Sequence, residues 1–144
     1  MRMSWIQRLI ITMCFAVPAL AKAPPGRFVL DAKGETVYDS LTKRTWQRTV
    51  DAGSYTSANA KTYCASLSLA GGGWHLPDIR EMRSIVDRNQ HKPAIDPHAF
   101  PNTPSDWFCT ATPTPWSASA VWGIYFGDGS SLDVSGGLRV RCVR

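Results

Sequence analysis

This 144-residue chain lacks the spacings on which the commonest chemistries depend. Its three histidines, His75, His91 and His98, fall in no H-x-x-x-H or cysteine-paired arrangement that would put metal ligands on one face, so no metal site is expected. No serine occupies a G-x-S-x-G elbow and no two cysteines are spaced as a redox pair, which leaves hydrolase and thioredoxin-like readings without support. No cofactor is expected. After the first residues no apolar run reaches the ~18 residues that would read as a transmembrane anchor. Internal repeats, collagen-like triplets and coiled-coil heptads are absent. Acidic residues are few, 11 against 16 Lys and Arg, and the net charge of +5 is too mild to argue for nucleic acid.

What is present begins with a targeting signal. Arg2 and Arg8 lie at the amino end ahead of an apolar core from Leu9 to Val17, and Ala19-Leu20-Ala21 is a small-residue cleavage site, so residues 1–21 read as a secretory signal peptide. Cleavage there removes two arginines and leaves 14 basic against 11 acidic residues, a net +3. The remaining 123 residues suffice for one domain, at 27–144 behind a Pro-rich lead-in at 22–26. The expected location is secreted or periplasmic, where disulfides persist. Cys14 leaves with the signal, so Cys64, Cys109 and Cys142 allow at most one internal bridge.

Periodicity then outlines the domain. Arg27 to Leu30 and Thr36 to Tyr38 read as short strands around an Asp31–Gly34 turn. A helix capped by Thr56 carries Ala60, Tyr63, Cys64 and Leu67 at helical spacing until Gly71-Gly72-Gly73. A second starts after Asp78 and is expected to run to about Asn89. Residues 90–116, rich in proline, read as a long structured loop with only short strand pieces, the kind of segment that usually carries binding. Ala120–Phe126, Leu132–Val134 and Leu138–Val143 then read as an antiparallel meander. The sum is an α+β domain, two helices packed on small antiparallel sheets with a long structured loop.

The densest motif is Trp74-His75-Leu76-Pro77-Asp78-Ile79-Arg80-Glu81-Met82. Pro77 keeps Leu76 out of helical angles, and Asp78 with Glu81 three residues on is an aspartate version of the capping box. Trp74, Leu76 and Met82 are accordingly expected in the core. This run resembles the W-R-L-P-x-x-x-E-L signature of the Lcl C-terminal domain family, the domain that ends the Legionella collagen-like protein. Val37-Tyr38-Asp39 with Trp46-Gln47-Arg48 upstream, and Trp107-Phe108-Cys109-Thr110, Phe126-Gly127-Asp128-Gly129 and Val140-Arg141-Cys142-Val143-Arg144 downstream, follow the family's order. His75 stands where the family usually has Arg, and Cys109 where it usually has Ser. The resemblance implies a C-type lectin-like fold. It also implies cysteines at both ends of a Cys64–Cys142 bridge, which would tie the first helix to the last strand. Cys109 is then the odd cysteine, expected as a buried, inert thiol.

That fold class hosts sugar binding, protein binding and formylglycine-generating oxidases, so it does not choose a function. The calcium motifs E-P-N, Q-P-D and W-N-D of lectins are absent, and Leu76-Pro77-Asp78 lacks the amide oxygen of a Q-P-D site. Aromatics crowd the last third of the chain, with Trp122 and Phe126 expected in the core and Trp116 undecided. The leading expectation is an exported, non-enzymatic recognition domain that binds an anionic polysaccharide or surface glycan. Trp107 and Trp116 would stack on sugar rings, while Arg139 and Arg141 would share one face of the terminal strand and pair with acid groups. The founding member's association with glycosaminoglycan binding and adhesion points the same way by analogy. The alternatives are a protein-interaction or assembly subunit of a cell-envelope complex, and an oxidase that would need Cys109 with Cys142.

Overall fold

The computed structural model describes residues 23–144, so the expected signal peptide lies outside the described residues. The first sheet is antiparallel and ordered β1 (Phe28–Leu30), β2 (Thr36–Asp39), β3 (Arg44–Gln47). Its first turn is organised by Asp31, whose Oδ1 accepts from the N–H of Glu35 at 2.7 Å and of Thr36 at 2.9 Å. Asp39 organises the second. Buried at the end of β2, it accepts from Arg27 Nε and Nη2 at 2.9 and 2.8 Å, from Thr42 Oγ1 at 2.8 Å and from Leu41 N–H at 3.0 Å. Burial alone would raise this carboxyl, but the Arg27, Thr42 and Leu41 hydrogen bonds outweigh it and hold the group below its ordinary 3.8.

Helix α1 (Ser57–Ser66) opens at Thr56, whose side chain accepts from Asn59 N–H at 3.2 Å. Helix α2 (Ile79–Ser84) opens with the expected capping box. Asp78 Oδ1 accepts from Glu81 N–H at 2.7 Å, and Glu81 Oε2 accepts from Asp78 N–H at 2.9 Å. It stops at Ser84 instead of continuing to Asn89. Past the β-branched Ile85 and Val86 the chain turns back, with Asp87 N–H donating to Ala94 O and Asp87 Oδ1 accepting from Asn89 N–H.

The second sheet is also antiparallel, ordered β4 (Trp107–Thr114), β5 (Ser117–Tyr125), β6 (Ser130–Val134). Strand β4 therefore corrects the expected loop, whose irregular part stops at Asp106. Pro113 is tolerated because the ladder to β5 shifts register on both sides of it, where no N–H is required. Leu138–Val143 is not the last strand of a meander. Leu138 bridges Tyr55, Arg139 runs parallel to Phe108, and Val143 bridges both Trp46 and His75. The terminal segment thus joins the two sheets, and the Cys64–Cys142 disulfide fastens it to α1 as expected.

Among the described residues two apolar clusters result. One gathers Trp46, Met82, Ile85, Phe100, Phe108, Ile124 and Phe126 under α2. The other gathers Ala60, Cys64, Trp74, Leu76, Cys109, Val140 and Cys142 under α1. Trp74, Leu76 and Met82 are buried as expected, and the Trp74 indole N–H donates to Leu69 O at 2.7 Å. Among the described residues no helix is long and apolar enough to cross a membrane.

Candidate functional site

The second sheet is covered on both faces at one end only. By strand alternation Phe108, Ile124 and Ser131 share the face under α2, and Trp122 with its register partner Asp133 continue that face outward. Phe108 and Ile124 are fully buried there, whereas Trp122 is half-buried and Asp133 exposed. The turn between β4 and β5 places Trp116 beside them, 62 % exposed. Its ring meets Trp122 edge-on, with centroids 5.6 Å apart and planes at 78°. Its indole N–H donates to Asp133 Oδ2 at 3.3 Å. From α2, Arg83 Nη2 donates to Ser131 Oγ at 2.7 Å, which brings a guanidinium onto the same sheet face. The arrangement offers an exposed aromatic ring held from two sides, a carboxylate that can accept from hydroxyls, and a cation at the near margin.

The four expected binding residues are not brought together. Trp116 lies in this exposed group. Trp107 begins β4 on the opposite face, half-buried, with its ring 5.2 Å from Tyr125. Arg139 is its neighbour, donating its N–H to Trp107 O at 2.8 Å. The Arg139 guanidinium is engaged by Asp106 Oδ2 at 3.1 Å, by Gly53 O at 3.2 Å and by Ala52 O.

Arg141 does not share a surface with Arg139, and the expected binding role is corrected by its burial. Its exposure is 0 %, because the terminal segment is covered on both sides. Nη1 donates to Gln47 O at 2.8 Å and Arg48 O at 2.7 Å, Nη2 to Thr103 Oγ1 at 2.7 Å, and the cation lies 4.7 Å from the Phe100 ring centroid. Burial pushes its pKa down to about 9, which leaves it cationic at neutral pH. This guanidinium is a structural cross-link between β3, the 100–106 segment and the chain end.

The motif's polar groups are likewise occupied with structure. Glu81, besides its capping bond, lies 2.8 Å from Arg44 and 3.3 Å from His75 Nε2. Arg144 stacks 5.0 Å over the Trp74 ring and donates to Ala70 O and Gly72 O at 2.8 and 3.0 Å. Cys109 is a buried free thiol, and burial pushes it up to about 11 against the pull of Lys61. Among the described residues no group of three or more His, Cys, Asp or Glu could hold a metal ion.

Sequence reasoning missed Trp122, Asp133 and Arg83 as members of one surface. Alternation along β5 and β6 carries the first two, but only the register of Trp122 opposite Asp133 places them side by side. A family model described as the Lcl C-terminal domain matches residues 35–144. No curated protein and no solved structure matches the chain.

Proposed function

The chain belongs to the Lcl C-terminal domain family, and on that premise we propose that it is an exported recognition domain for an anionic polysaccharide or surface glycan. The observation that carries this reading is Trp116, an exposed indole fixed by Trp122 and Asp133 rather than free to fold onto the surface. A held aromatic plane stacks on a sugar ring at little entropic cost, and Asp133 accepts from ring hydroxyls. Arg83 and Arg80, exposed on α2, supply charge for sulfate or carboxylate groups. A C-type lectin-like fold belongs to the same proposal, supported by the bridge from α1 to a terminal segment that lies along the first sheet.

An array of neutral and acidic glycans, read at low and high salt, tests the reading. Trp116→Ala should weaken binding at both salts by about tenfold or more, as loss of an aromatic anchor does. Arg80→Ala with Arg83→Ala should weaken it mainly at low salt, because attraction between exposed charges is screened beyond about 8 Å at physiological ionic strength. Binding indifferent to all three changes, or dependent on a divalent metal, would refute it. The assembly-subunit reading has its own support in the first sheet, where Val29 and Tyr38 sit opposite each other and are 50 % and 40 % exposed.

A further inference from the structure

The first sheet has an open edge with a hollow beside it. Among the described residues strand β1 pairs with β2 alone. Ser40 N–H donates to Arg27 O at 2.9 Å and Asp31 N–H to Thr36 O at 3.2 Å. Alternation therefore turns the bonding groups of Val29 toward Tyr38, and the N–H and C=O of Phe28 and Leu30 point away from the sheet. Among the described residues these outward groups have no backbone partner.

A cavity of about 460 Å³ lies against this edge, with Phe28, Ile85 and Val86 in its lining. Two smaller hollows of about 160 Å³ each adjoin it, one lined by Gln90 and His98, the other by Leu30 and His98. Asp96 lines all three and Asp87 lines two. Each carboxylate uses Oδ1 locally, Asp96 for the N–H groups of His98 and Ala99 and Asp87 for Asn89. Oδ2 of each has no partner among the described residues. Arg27 in the same lining is neutralised by Asp39 and also donates to Ser84 O, so among the described lining residues Arg88 is the Lys or Arg left to set against two carboxylates.

We propose that this groove takes an extended peptide segment of a partner protein by strand addition to β1, with a lysine or arginine side chain seated against Asp87 and Asp96. An open strand edge supplies backbone hydrogen bonds to any extended chain. The apolar lining then favours aliphatic neighbours, and the free carboxylate oxygens select a basic side chain over an acidic one. The site shares no residue with the Trp116 surface and goes beyond the glycan reading.

The probe is a capped octapeptide of alternating valine and threonine with a central arginine, titrated into the protein and followed by fluorescence anisotropy. Replacing the arginine by glutamate should weaken binding by about tenfold or more, the size of a lost charge-assisted hydrogen bond. Leu30→Pro removes one outward N–H and leaves every bond to β2 in place, so it should also weaken binding by about tenfold. Asp96→Asn keeps the oxygen that accepts from His98 and Ala99 and should erode the preference for arginine over glutamate. Both variants should bind heparin as the wild type does, which separates this site from the glycan surface. Equal affinity for the two peptides, or an unchanged preference in Asp96→Asn, overturns the proposal. So does peptide-free self-association that Leu30→Pro abolishes, which would give the edge to a second copy.

Discussion

The two ends of the second sheet are made of similar residues and do opposite things. At the covered end Phe108 and Ile124 lie under α2, and Cys109 lies under α1 and the terminal segment. At the bare end Trp116, Trp122 and Asp133 extend the α2-side face past the point where anything packs on it. The same alternation that buries Phe108 at one end leaves Trp122 half-buried at the other, and the β4–β5 turn sets the exposed Trp116 beside it. Aromatic content alone therefore does not distinguish core from binding surface. The element that crosses the strand does.

The largest way to break the contrast is to unfasten the covered end. Replacing Cys64 and Cys142 together by Ala frees a 78-residue separation and should cost roughly 4 kcal/mol in urea denaturation, with the glycan surface still intact in whatever fraction stays folded. Arg141→Met should cost about 3 kcal/mol, because it strands Gln47 O, Arg48 O and Thr103 Oγ1 without their buried donor. If Arg141→Met instead melts like the wild type and loses glycan binding, the guanidinium is a ligand contact and the division between the ends is misplaced.

Asp39→Asn probes the clamped first sheet and should cost about 2 kcal/mol near neutral pH, through weakened bonds to Arg27, Thr42 and Leu41. The sign of its pH dependence is fixed by the lowered pKa. The carboxylate stabilises the fold above the ordinary 3.8, and that contribution is lost as pH falls through the lower folded value. The deficit of Asp39→Asn should therefore shrink in acid below about pH 4 when melting is compared across pH. The smallest effect belongs to the bare end. Trp116→Ala should change stability by less than about 0.5 kcal/mol, as exposed positions do, while altering binding.

Local chemistry was legible in the sequence, and coverage was not. The Asp78–Glu81 capping box, the Thr56 cap and the Asp31 turn depend on residues within five positions of one another, so they could be read before any fold was known. The Cys64–Cys142 pairing came from the family resemblance and stands in the structure. The end of α2 and the full length of the strand in the proline-rich stretch were not visible, because a turn-back to Ala94 and a pairing across a register shift involve partners beyond the reach of a local motif. Arg141 is the sharpest case. Alternation correctly relates it to Arg139 along the chain, but it does not reveal that β3 and the 100–106 segment close over one and leave the other at the margin. Trp116 is a candidate from its place in the chain alone, while its partners Trp122 and Asp133 need the β5–β6 register.

The central claim is that recognition belongs to the bare end, and the tryptophan indole N–H signals test it most directly. In a ¹⁵N-labelled sample titrated with an acidic oligosaccharide derived from heparin, the Trp116 and Trp122 signals should shift together in proportion to saturation. Those of the buried Trp46 and Trp74 should stay where they are. Shifts confined to Trp107, or a saturable interaction that leaves Trp116 and Trp122 unmoved, would contradict the account.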